Sequence, residues 1–310
     1  MILSIPILTK LKSQVKMNSE THFCLRVDVD TFQGLKKGIS QTYKIVKDWE
    51  IPATIYLSLG KYATGRNLFR KIKHREKFSS ISPIMRNSVI DLTRGVLLPP
   101  AKIGKSEILF LREYDKRDLI EIHPHGYNHV KWSSSFKQFS TEKKRKYIEG
   151  IFTEYGNIFN KKPIANAAPN FQISKDYFQI MKEKGIKFLA DYVYSEPFNI
   201  QFYSTDEKPQ KILQLPVTEP NLEDLIIQKK SIDKIKQEFR DKFEHYKDIS
   251  SSYVCFYFHA IYEPFKLKDL LEHILNLTIK FDMKPITHKN YSQIIDEVPV
   301  MNYDELAERG

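Results

Sequence analysis

The stretch Leu25-Arg26-Val27-Asp28-Val29-Asp30-Thr31-Phe32 decides how the rest of the chain is interpreted. Its apolar residues alternate with polar ones and include Val and Phe, which is typical of a buried strand. Asp28 and Asp30 are two residues apart where the apolar run stops, so both side chains lie on one side of the strand, at its carboxyl end. Open α/β sheets and α/β barrels keep their chemistry at this end. The pair is therefore a candidate site, and a solvated strand end is the alternative.

Length and composition predict a folded protein. The chain has 310 residues, enough for one large α/β domain or two smaller ones, and 41% of them are hydrophobic, which argues against disorder. No stretch approaches the length of a membrane span, and the apolar residues 1–9 carry neither a basic region nor a small-residue cleavage site. Cys24 and Cys255 lie in apolar runs and are interpreted as buried thiols in a reducing compartment. We therefore expect a cytoplasmic protein, with residues 1–20 as an N-terminal extension.

The net charge of +11 is concentrated in one segment. Between Lys61 and Arg112 there are 12 Lys and Arg residues but only three acidic ones. Basic residues interleaved with Leu and Phe and interrupted by prolines favour an insertion, 61–112, that faces phosphate or an anionic membrane surface. A solvated basic face that packs on the wall of the domain is the alternative. Because no nucleic-acid-binding signature is present, we predict no nucleic-acid partner.

Strand-like and helix-like segments alternate along the chain. The predicted strands are 25–29, 52–59, 119–122, 163–167, 186–189, 212–217, 253–258 and 285–286. The predicted helices include 34–50, 141–160, 175–184, one that begins at Ser231, and 266–277. Seven or eight mostly parallel strands with intervening helices favour one barrel-like α/β domain over 21–298, and a doubly wound sheet is the competing architecture. The residues from 299 to 310 are predicted to form a polar, loosely held tail.

Histidines follow two of the predicted strands. His125 and His129 are four residues apart, and one helical turn would place both imidazoles on one face, a common way to present two metal ligands. Two histidines and one carboxylate leave positions open on a metal, as in catalytic rather than structural sites. His259 ends the strand 253–258, again at the carboxyl end. Surface or structural histidines are the alternative interpretation for each group.

Five motifs carry a family resemblance, and they occur in the family's order. The motifs are Leu25–Phe32, Gly65–Arg70, His125–His129, Leu215–Thr218 and Phe258–Ala260. From about residue 25 to 295 the chain resembles the NodB-type polysaccharide deacetylases (carbohydrate esterase family four), and among them the deformylases that act on undecaprenyl-phosphate 4-deoxy-4-formamido-arabinose. The resemblance implies a distorted (β/α) barrel and a divalent metal, usually zinc, with manganese or cobalt as other possibilities.

The resemblance also implies roles for single residues. The metal ligands that it implies are Asp30, His125 and His129. Asp28 matches the general base, His259 the general acid, and Asp191 falls where the family places another polar site residue. A backbone N–H near Asn170 or Phe171 could complete an oxyanion hole. In the basic segment, Arg66 and Arg70 are candidate phosphate contacts.

One position departs from the family pattern. An arginine that orients the catalytic aspartate is expected after the strand 163–167, but alignment on Gly185 places Gln172 there. A neutral amide can hydrogen-bond to Asp28 but supplies no charge to keep it ionised. Either another base, such as Arg26 or Lys187, compensates for the missing arginine, or the general base is tuned differently.

The expected function is that of a metal-dependent amidase. It would remove a formyl or acetyl group from an amino sugar on undecaprenyl phosphate, in lipid A and lipopolysaccharide modification, at the cytoplasmic face of the inner membrane. The pair Asp28 and Asp30 also resembles the opening motif of haloacid-dehalogenase-type phosphatases. Those enzymes need a late acidic pair after a strand, whereas Phe258 is followed by His259. A catalytically inactive lipid–glycan-binding protein is the remaining alternative.

Overall fold

The computed structural model describes residues 20–63, 65, 89–248 and 253–307. The strands are β1 (His22–Val29), β2 (Ala53–Leu57), β3 (Ile120–Pro124), β4 (Ala165–Asn166), β5 (Phe188–Leu189), β6 (Phe198–Tyr203), β7 (Pro209–Gln214), β8 (Tyr253–His259), β9 (Lys284–Pro285) and β10 (Val300–Asn302). The N-terminal extension before Glu20 and residues 66–88 of the basic segment, with Arg66 and Arg70, lie outside the described residues.

Helices connect most of these strands. They are α1 (Ile39–Trp49), α2 (Val89–Thr93), α3 (Lys105–Tyr114), α4 (His129–Ser135), α5 (Thr141–Phe159), α6 (Lys175–Glu183), α7 (Leu222–Ile227), α8 (Ile232–Asp248), α9 (Glu263–Lys266), α10 (Lys268–Lys280), α11 (His288–Ile294) and α12 (Tyr303–Ala307). The π-helical segment Gly34–Gly38 leads into α1, so the helix predicted over 34–50 is present. None of the described helices is both long and apolar enough to cross a membrane.

The first sheet is built around β1, whose eight residues are all buried. β1 pairs in parallel with β2 and with β8, β3 continues the sheet beyond β2, and β9 pairs with the start of β1. Parallel neighbours require crossover connections, and α1 supplies the one between β1 and β2. Both faces of β1 are covered, so its polar residues Arg26 and Asp28 are buried together with its apolar ones.

The second sheet has the order β10–β6–β7–β5–β4. Among the described pairs, β6 with β7 is antiparallel and every other pair is parallel. Backbone hydrogen bonds join the two sheets at both seams: Ala167 N donates to Pro124 O (3.0 Å), and Thr218 N donates to Cys255 O (3.0 Å). The two sheets therefore enclose a common interior, as expected for a distorted (β/α) barrel.

The carboxyl ends of β1, β2, β3 and β8 meet at one edge of the first sheet. The residues that end or directly follow these strands are Asp30, Ser58, His125 and His259. The hydrogen-bond ladder continues past the strand ends, since His125 N donates to Leu57 O (2.7 Å) and Ala260 N donates to Asp28 O (3.0 Å). The backbone of the candidate site is therefore an extension of the sheet.

Two parts of the chain differ from the sequence prediction. β6 is absent from the predicted strands, although Phe198, Ile200 and Phe202 alternate with less buried residues in the two-residue period of a strand. The residues after Pro299 were expected to be loosely held, but β10 pairs in parallel with β6, and Tyr303 lies 5.6 Å from Phe178 between ring centroids. An added strand and an aromatic contact attach this end of the chain to the second sheet.

The backbone conformation of Gly126, between the two predicted histidine ligands, is expected to affect the stability of the protein. Gly126 has φ +64°, and a Cβ there would lie 2.8 Å from the Pro169 ring. We expect Gly126→Ala to lower the free energy of unfolding by about 1–3 kcal/mol, because the left-handed conformation and the clash both penalise a side chain. Urea unfolding of the full chain measures this change.

The matched control is Gly156→Ala in α5, where a Cβ would meet no atom within 4 Å. An alanine inside a helix is expected to raise the free energy of unfolding by about 0.5–1 kcal/mol, because glycine loses more backbone entropy on folding. Equal effects of the two substitutions would contradict the role assigned to the Gly126 conformation.

Candidate metal and catalytic site

Asp30, His125 and His129 converge at the edge of the first sheet. One ligand atom from each side chain lies within 4.8 Å of those from the other two. His125 Nε2 is 3.3 Å from Asp30 Oδ1, and His129 Nε2 is 3.3 Å from Asp30 Oδ2. Two ligand atoms bound tetrahedrally at about 2.1 Å from a zinc ion lie about 3.4 Å apart, so these distances suit a metal ion between the three side chains.

Local chemistry supports the same conclusion. Asp30 Oδ1 is buried and accepts no hydrogen bond of normal geometry from the described residues. A buried oxygen of this kind is expected where a bound metal ion would be its partner. The Nδ1 atom of His125 lies 3.0 Å from Ala167 O, so an Nδ1–H donor leaves Nε2 free to bind a metal. Burial raises the pKa of Asp30, but His129 and His125 outweigh it and hold the pKa well below its usual range. Two imidazoles and a carboxylate suit zinc, and they also accept manganese or cobalt.

The two histidines reach the site in a different way from the one predicted. The spacing predicted a single helical turn, but His125 follows β3, Gly126 turns the chain with φ +64°, and His129 is the first residue of α4. Asn128 caps this helix, because its side chain accepts a hydrogen bond from Lys131 N (2.9 Å). The ring centroids of the two histidines are nevertheless 5.4 Å apart.

Asp28 lies next to the candidate metal ligands, with Oδ2 3.9 Å from His125 Nε2, and pairs with an arginine of its own strand. Arg26 Nε donates to Asp28 Oδ1 (2.7 Å), and Arg26 Nη2 donates to Asp28 Oδ2 (2.9 Å). Burial raises the pKa of Asp28, but the Arg26 guanidinium and His125 outweigh burial and lower it below its usual range. Of the two bases considered as replacements for the missing arginine, Arg26 contacts Asp28, whereas Lys187 is exposed.

His259 faces the ligands from β8. Its Nε2 is 3.8 Å from Asp30 Oδ2, and its Nδ1 is 3.4 Å from Glu223 Oε2. Glu263, at the start of α9, accepts a hydrogen bond from His259 N (2.9 Å). Both glutamates are fully buried, and no local sequence pattern marks either as part of a site. A carboxylate at Nδ1 favours a proton on that nitrogen and stabilises the imidazolium form of the ring, in which Nε2, the atom nearer the candidate ligands, also carries a proton.

The loop after β4 carries Asn170 and Phe171, near which an oxyanion-hole N–H was predicted. Phe171 N donates to Ala168 O (3.0 Å), so this N–H is used within the loop and does not point into an oxyanion hole. Asn170 and Phe171 both have left-handed backbone conformations, with φ of 53° and 52°. The loop thereby places the Phe171 ring 5.4 Å from the Arg26 guanidinium. The sequence could not reveal this contact because it depends on a positive φ at a bulky residue.

Asp191 is buried behind this loop rather than among the metal ligands. Its Oδ1 accepts a hydrogen bond from Ala168 N (2.6 Å), and its Oδ2 accepts one from Tyr177 OH (3.0 Å). Burial raises the pKa of Asp191 to about 7, against the lowering effect of these two hydrogen bonds. These contacts indicate a residue that positions the loop after β4.

The raised pKa of Asp191 predicts a pH-dependent difference in stability. The folded protein binds this proton more tightly than the unfolded chain, so the Asp191 contribution to stability falls as pH rises from about 4 to about 7. Asp191→Asn removes this loss. We expect the free energy of unfolding of the variant, relative to wild type, to rise by about 2 kcal/mol between pH 5 and pH 8.

The measurement is urea unfolding of both proteins in chelator, so that metal binding does not contribute. Asp206→Asn, in the exposed turn between β6 and β7, is the control, and its difference from wild type is expected to stay constant over the same pH range. A constant difference for Asp191→Asn as well would show that Asp191 is ionised throughout.

The chain is similar in sequence to two curated proteins of the same description. No family profile matches the chain. A probable 4-deoxy-4-formamido-L-arabinose-phosphoundecaprenol deformylase from Shewanella sediminis is 22% identical over 208 residues, which are 65% of this chain and 64% of the relative. The chain thus spans just under two thirds of that relative's length. A relative of the same description from Wigglesworthia glossinidia brevipalpis is 23% identical over 269 residues, 86% of this chain and 89% of the relative.

The fold is similar to those of solved polysaccharide deacetylase structures. A putative polysaccharide deacetylase from Mycobacterium smegmatis matches with a TM-score of 0.58 at 13% identity, covering 94% of this chain and 92% of the other. A probable polysaccharide deacetylase from Pseudomonas aeruginosa PAO1 matches with a TM-score of 0.60 at 10% identity, covering 89% and 91%. The chain therefore has the fold of the NodB-type polysaccharide deacetylases and is similar in sequence to the formamido-arabinose-phosphoundecaprenol deformylases, as its motifs predicted.

Proposed function

We propose that this protein is a metal-dependent amidase that removes a formyl or acetyl group from an amino sugar linked to undecaprenyl phosphate. The observation that carries the proposal is the arrangement around the three ligands. Asp28 Oδ2 lies 3.9 Å from His125 Nε2, and His259 Nε2 lies 3.8 Å from Asp30 Oδ2. A potential base and a potential acid thus flank one metal position, which is the set of groups that amide hydrolysis requires.

The proposed chemistry divides the work among these side chains. When bound by Asp30, His125 and His129, a divalent metal supplies a Lewis acid for the amide carbonyl and the attacking water. The Asp28 carboxylate, kept ionised beside Arg26, accepts a proton from the water as it attacks the carbonyl carbon. His259 donates the proton on Nε2 to the leaving amine nitrogen, and Glu223 stabilises the positive charge of the ring.

The substrate assignment is supported by the curated relatives, whose descriptions name a formamido-arabinose carried on phosphoundecaprenol. A lipid carrier implies work at a membrane surface, which we propose to be the cytoplasmic face of the inner membrane, in lipid A modification. Arg66 and Arg70 remain proposed contacts for the lipid phosphate. Gly65, which directly precedes Arg66 in the sequence, donates its N–H to Arg94 O (3.1 Å).

Mass spectrometry tests the activity. We expect undecaprenyl-phosphate formamido-arabinose or its acetamido analogue to lose a formyl or acetyl mass when incubated with the metal-loaded protein, and to stay intact in chelator. Asp28→Asn is expected to lower kcat by about 100-fold or more while zinc still binds, because it removes the proposed base but no ligand. Asp30→Asn is expected to lose both zinc affinity and turnover, because a ligand charge is removed.

Other outcomes of this experiment select the alternatives. Release of inorganic phosphate without loss of an acyl group would favour a phosphatase of the haloacid-dehalogenase type. The sequence at the end of β8 argues against that reaction, because Phe258 is followed by His259 and Ala260 and not by the acidic pair that such a phosphatase needs. Binding of the lipid without any mass change, with zinc bound, would identify a lipid–glycan-binding protein.

An exposed apolar turn supports the proposed membrane contact. Val96, Leu97 and Leu98 are 46%, 79% and 43% exposed, in a turn closed by a hydrogen bond from Leu97 N to Thr93 O (2.9 Å). Arg94 begins the turn, with its guanidinium 5.2 Å from the Phe32 ring. Apolar side chains next to basic ones suit an anionic bilayer, where both burial and charge favour binding.

The same turn lies near the candidate site. Ala101, three residues beyond Leu98, exchanges backbone hydrogen bonds with Tyr62 (2.9 and 3.0 Å). Tyr62 lines a cleft together with Asp30 and His129. We therefore propose that the turn enters the bilayer while the sugar of a lipid-linked substrate reaches the metal ligands.

Vesicle sedimentation tests this contact. We expect Leu97→Asp to weaken binding to phosphatidylglycerol vesicles about tenfold, because a leucine side chain contributes about 1.5–3 kcal/mol when buried from water. The matched control is Ile279→Asp in α10, which is 55% exposed and should bind as wild type does. Equal vesicle binding by wild type, Leu97→Asp and Ile279→Asp would show that the turn does not contact the membrane. The proposed chemistry would be unaffected by that result.

A further inference from the structure

We propose that Arg26 is the positioning residue that orients the Asp28 carboxylate for proton transfer, in place of an arginine at the position of Gln172. The inference rests on the proposed function, in which Asp28 is the general base. Arg26 and the base Asp28 are both in β1. Arg26 would thus orient the base, a role that the family resemblance assigns to an arginine in the loop after β4.

The contact between Arg26 and Asp28 is made within one strand. The two residues are two positions apart in β1, so their side chains lie on the same face. The side chains of Arg26 and Asp28 are only 1% and 5% exposed, so water does not compete for the paired atoms. Two parallel hydrogen bonds fix the plane of the carboxylate and occupy one lone pair on each oxygen. Oδ2, which is 3.9 Å from His125 Nε2, keeps a second lone pair for a proton.

Arg26 is itself held on all sides by other segments of the fold. Its Nη1 donates to Ala190 O (2.7 Å), just beyond β5. Its guanidinium lies 5.0 Å from the ring of Tyr56, 5.4 Å from that of Phe171 and 5.6 Å from that of Tyr257. Rings at these distances attract a buried cation and restrict its rotation. The orientation of Asp28 is therefore set by side chains from β2, β8 and the loop after β4.

The path of that loop explains why Gln172 does not serve this purpose. The left-handed conformations of Asn170 and Phe171 place the Phe171 ring against Arg26. The Gln172 side chain turns back to its own loop, because its Nε2 lies 3.4 Å from Asn170 O. The backbone carbonyl of Gln172 accepts a hydrogen bond from Trp132 Nε1 (2.9 Å). The loop thus contributes an apolar ring to the guanidinium and no cation to Asp28.

Kinetics of the metal-loaded full chain on the lipid substrate, with zinc affinity measured alongside, test the proposal. We expect Arg26→Gln to lower kcat about 100-fold, because a misplacement of about 1 Å in a catalytic group can reduce a rate by that factor. KM and the zinc dissociation constant are expected to change little, since no ligand is altered. Arg26→Lys is expected to give an intermediate kcat, because it keeps the charge but loses the planar fork.

The matched control is Arg112→Gln, which is expected to leave kcat unchanged. Among the described residues, Arg112 donates hydrogen bonds to the backbone of Asn157 and Ile158 in α5 and to the Asn160 side chain, none of which belongs to the candidate site. A folded Arg26→Gln protein with wild-type kcat would overturn the proposal. Parallel loss of zinc affinity and kcat would also overturn it, because Arg26 would then support the whole site.

A stability comparison keeps the test independent of turnover. If the Asp28 carboxylate is stabilised by its pairing with Arg26, removing the arginine leaves a buried unpaired carboxylate. The double variant Arg26→Gln/Asp28→Asn is then expected to have a higher Tm than Arg26→Gln. An equal or lower Tm for the double variant would overturn the pairing. If wild type hydrolyses no amide, the proposed function fails, whereas the Tm comparison still decides whether the two residues are coupled.

Discussion

The buried ion pair between Arg26 and Asp28 is the interaction on which the candidate site depends. Removing two charged groups from water costs several kcal/mol for each ion, and the contact compensates for this only with good geometry and further partners. Here two parallel hydrogen bonds, the Ala190 carbonyl and three aromatic rings provide them. Since a well-packed apolar pair would serve stability as well, the ion pair is better explained by what Asp28 does at the strand end.

The same neighbourhood shifts the pKa values of two buried aspartates in opposite directions. Burial raises the pKa of both, but for Asp28 the contact with Arg26 outweighs it and lowers the pKa. Asp191 hydrogen-bonds to an N–H and a hydroxyl, and burial raises its pKa to about 7. Two carboxylates with different environments can therefore divide their roles, one as a base and one as a support for the loop after β4.

The candidate metal site depends on how the sheet ends. Parallel strands place Asp30 and His125 at the same edge, but His129 arrives on a separate helix after the Gly126 turn. That helix is anchored by Trp132, which is fully buried and stacks on Phe136 at 3.7 Å between ring centroids. The geometry of the ligands therefore rests on packing behind the site as well as on the strands.

By itself, the sequence determined the parallel α/β fold and the set of polar residues at the strand ends, because periodicity of apolar residues and motif order are local properties of the chain. Only the tertiary structure decided which neighbours those residues have. Glu223 faces His259, and the Ala190 carbonyl and the Phe171 ring hold Arg26 against Asp28, through contacts that join distant segments. The pairing of β6 with β7 and of β10 with β6 likewise joins separate segments of the chain, and no local pattern specifies which strands become neighbours.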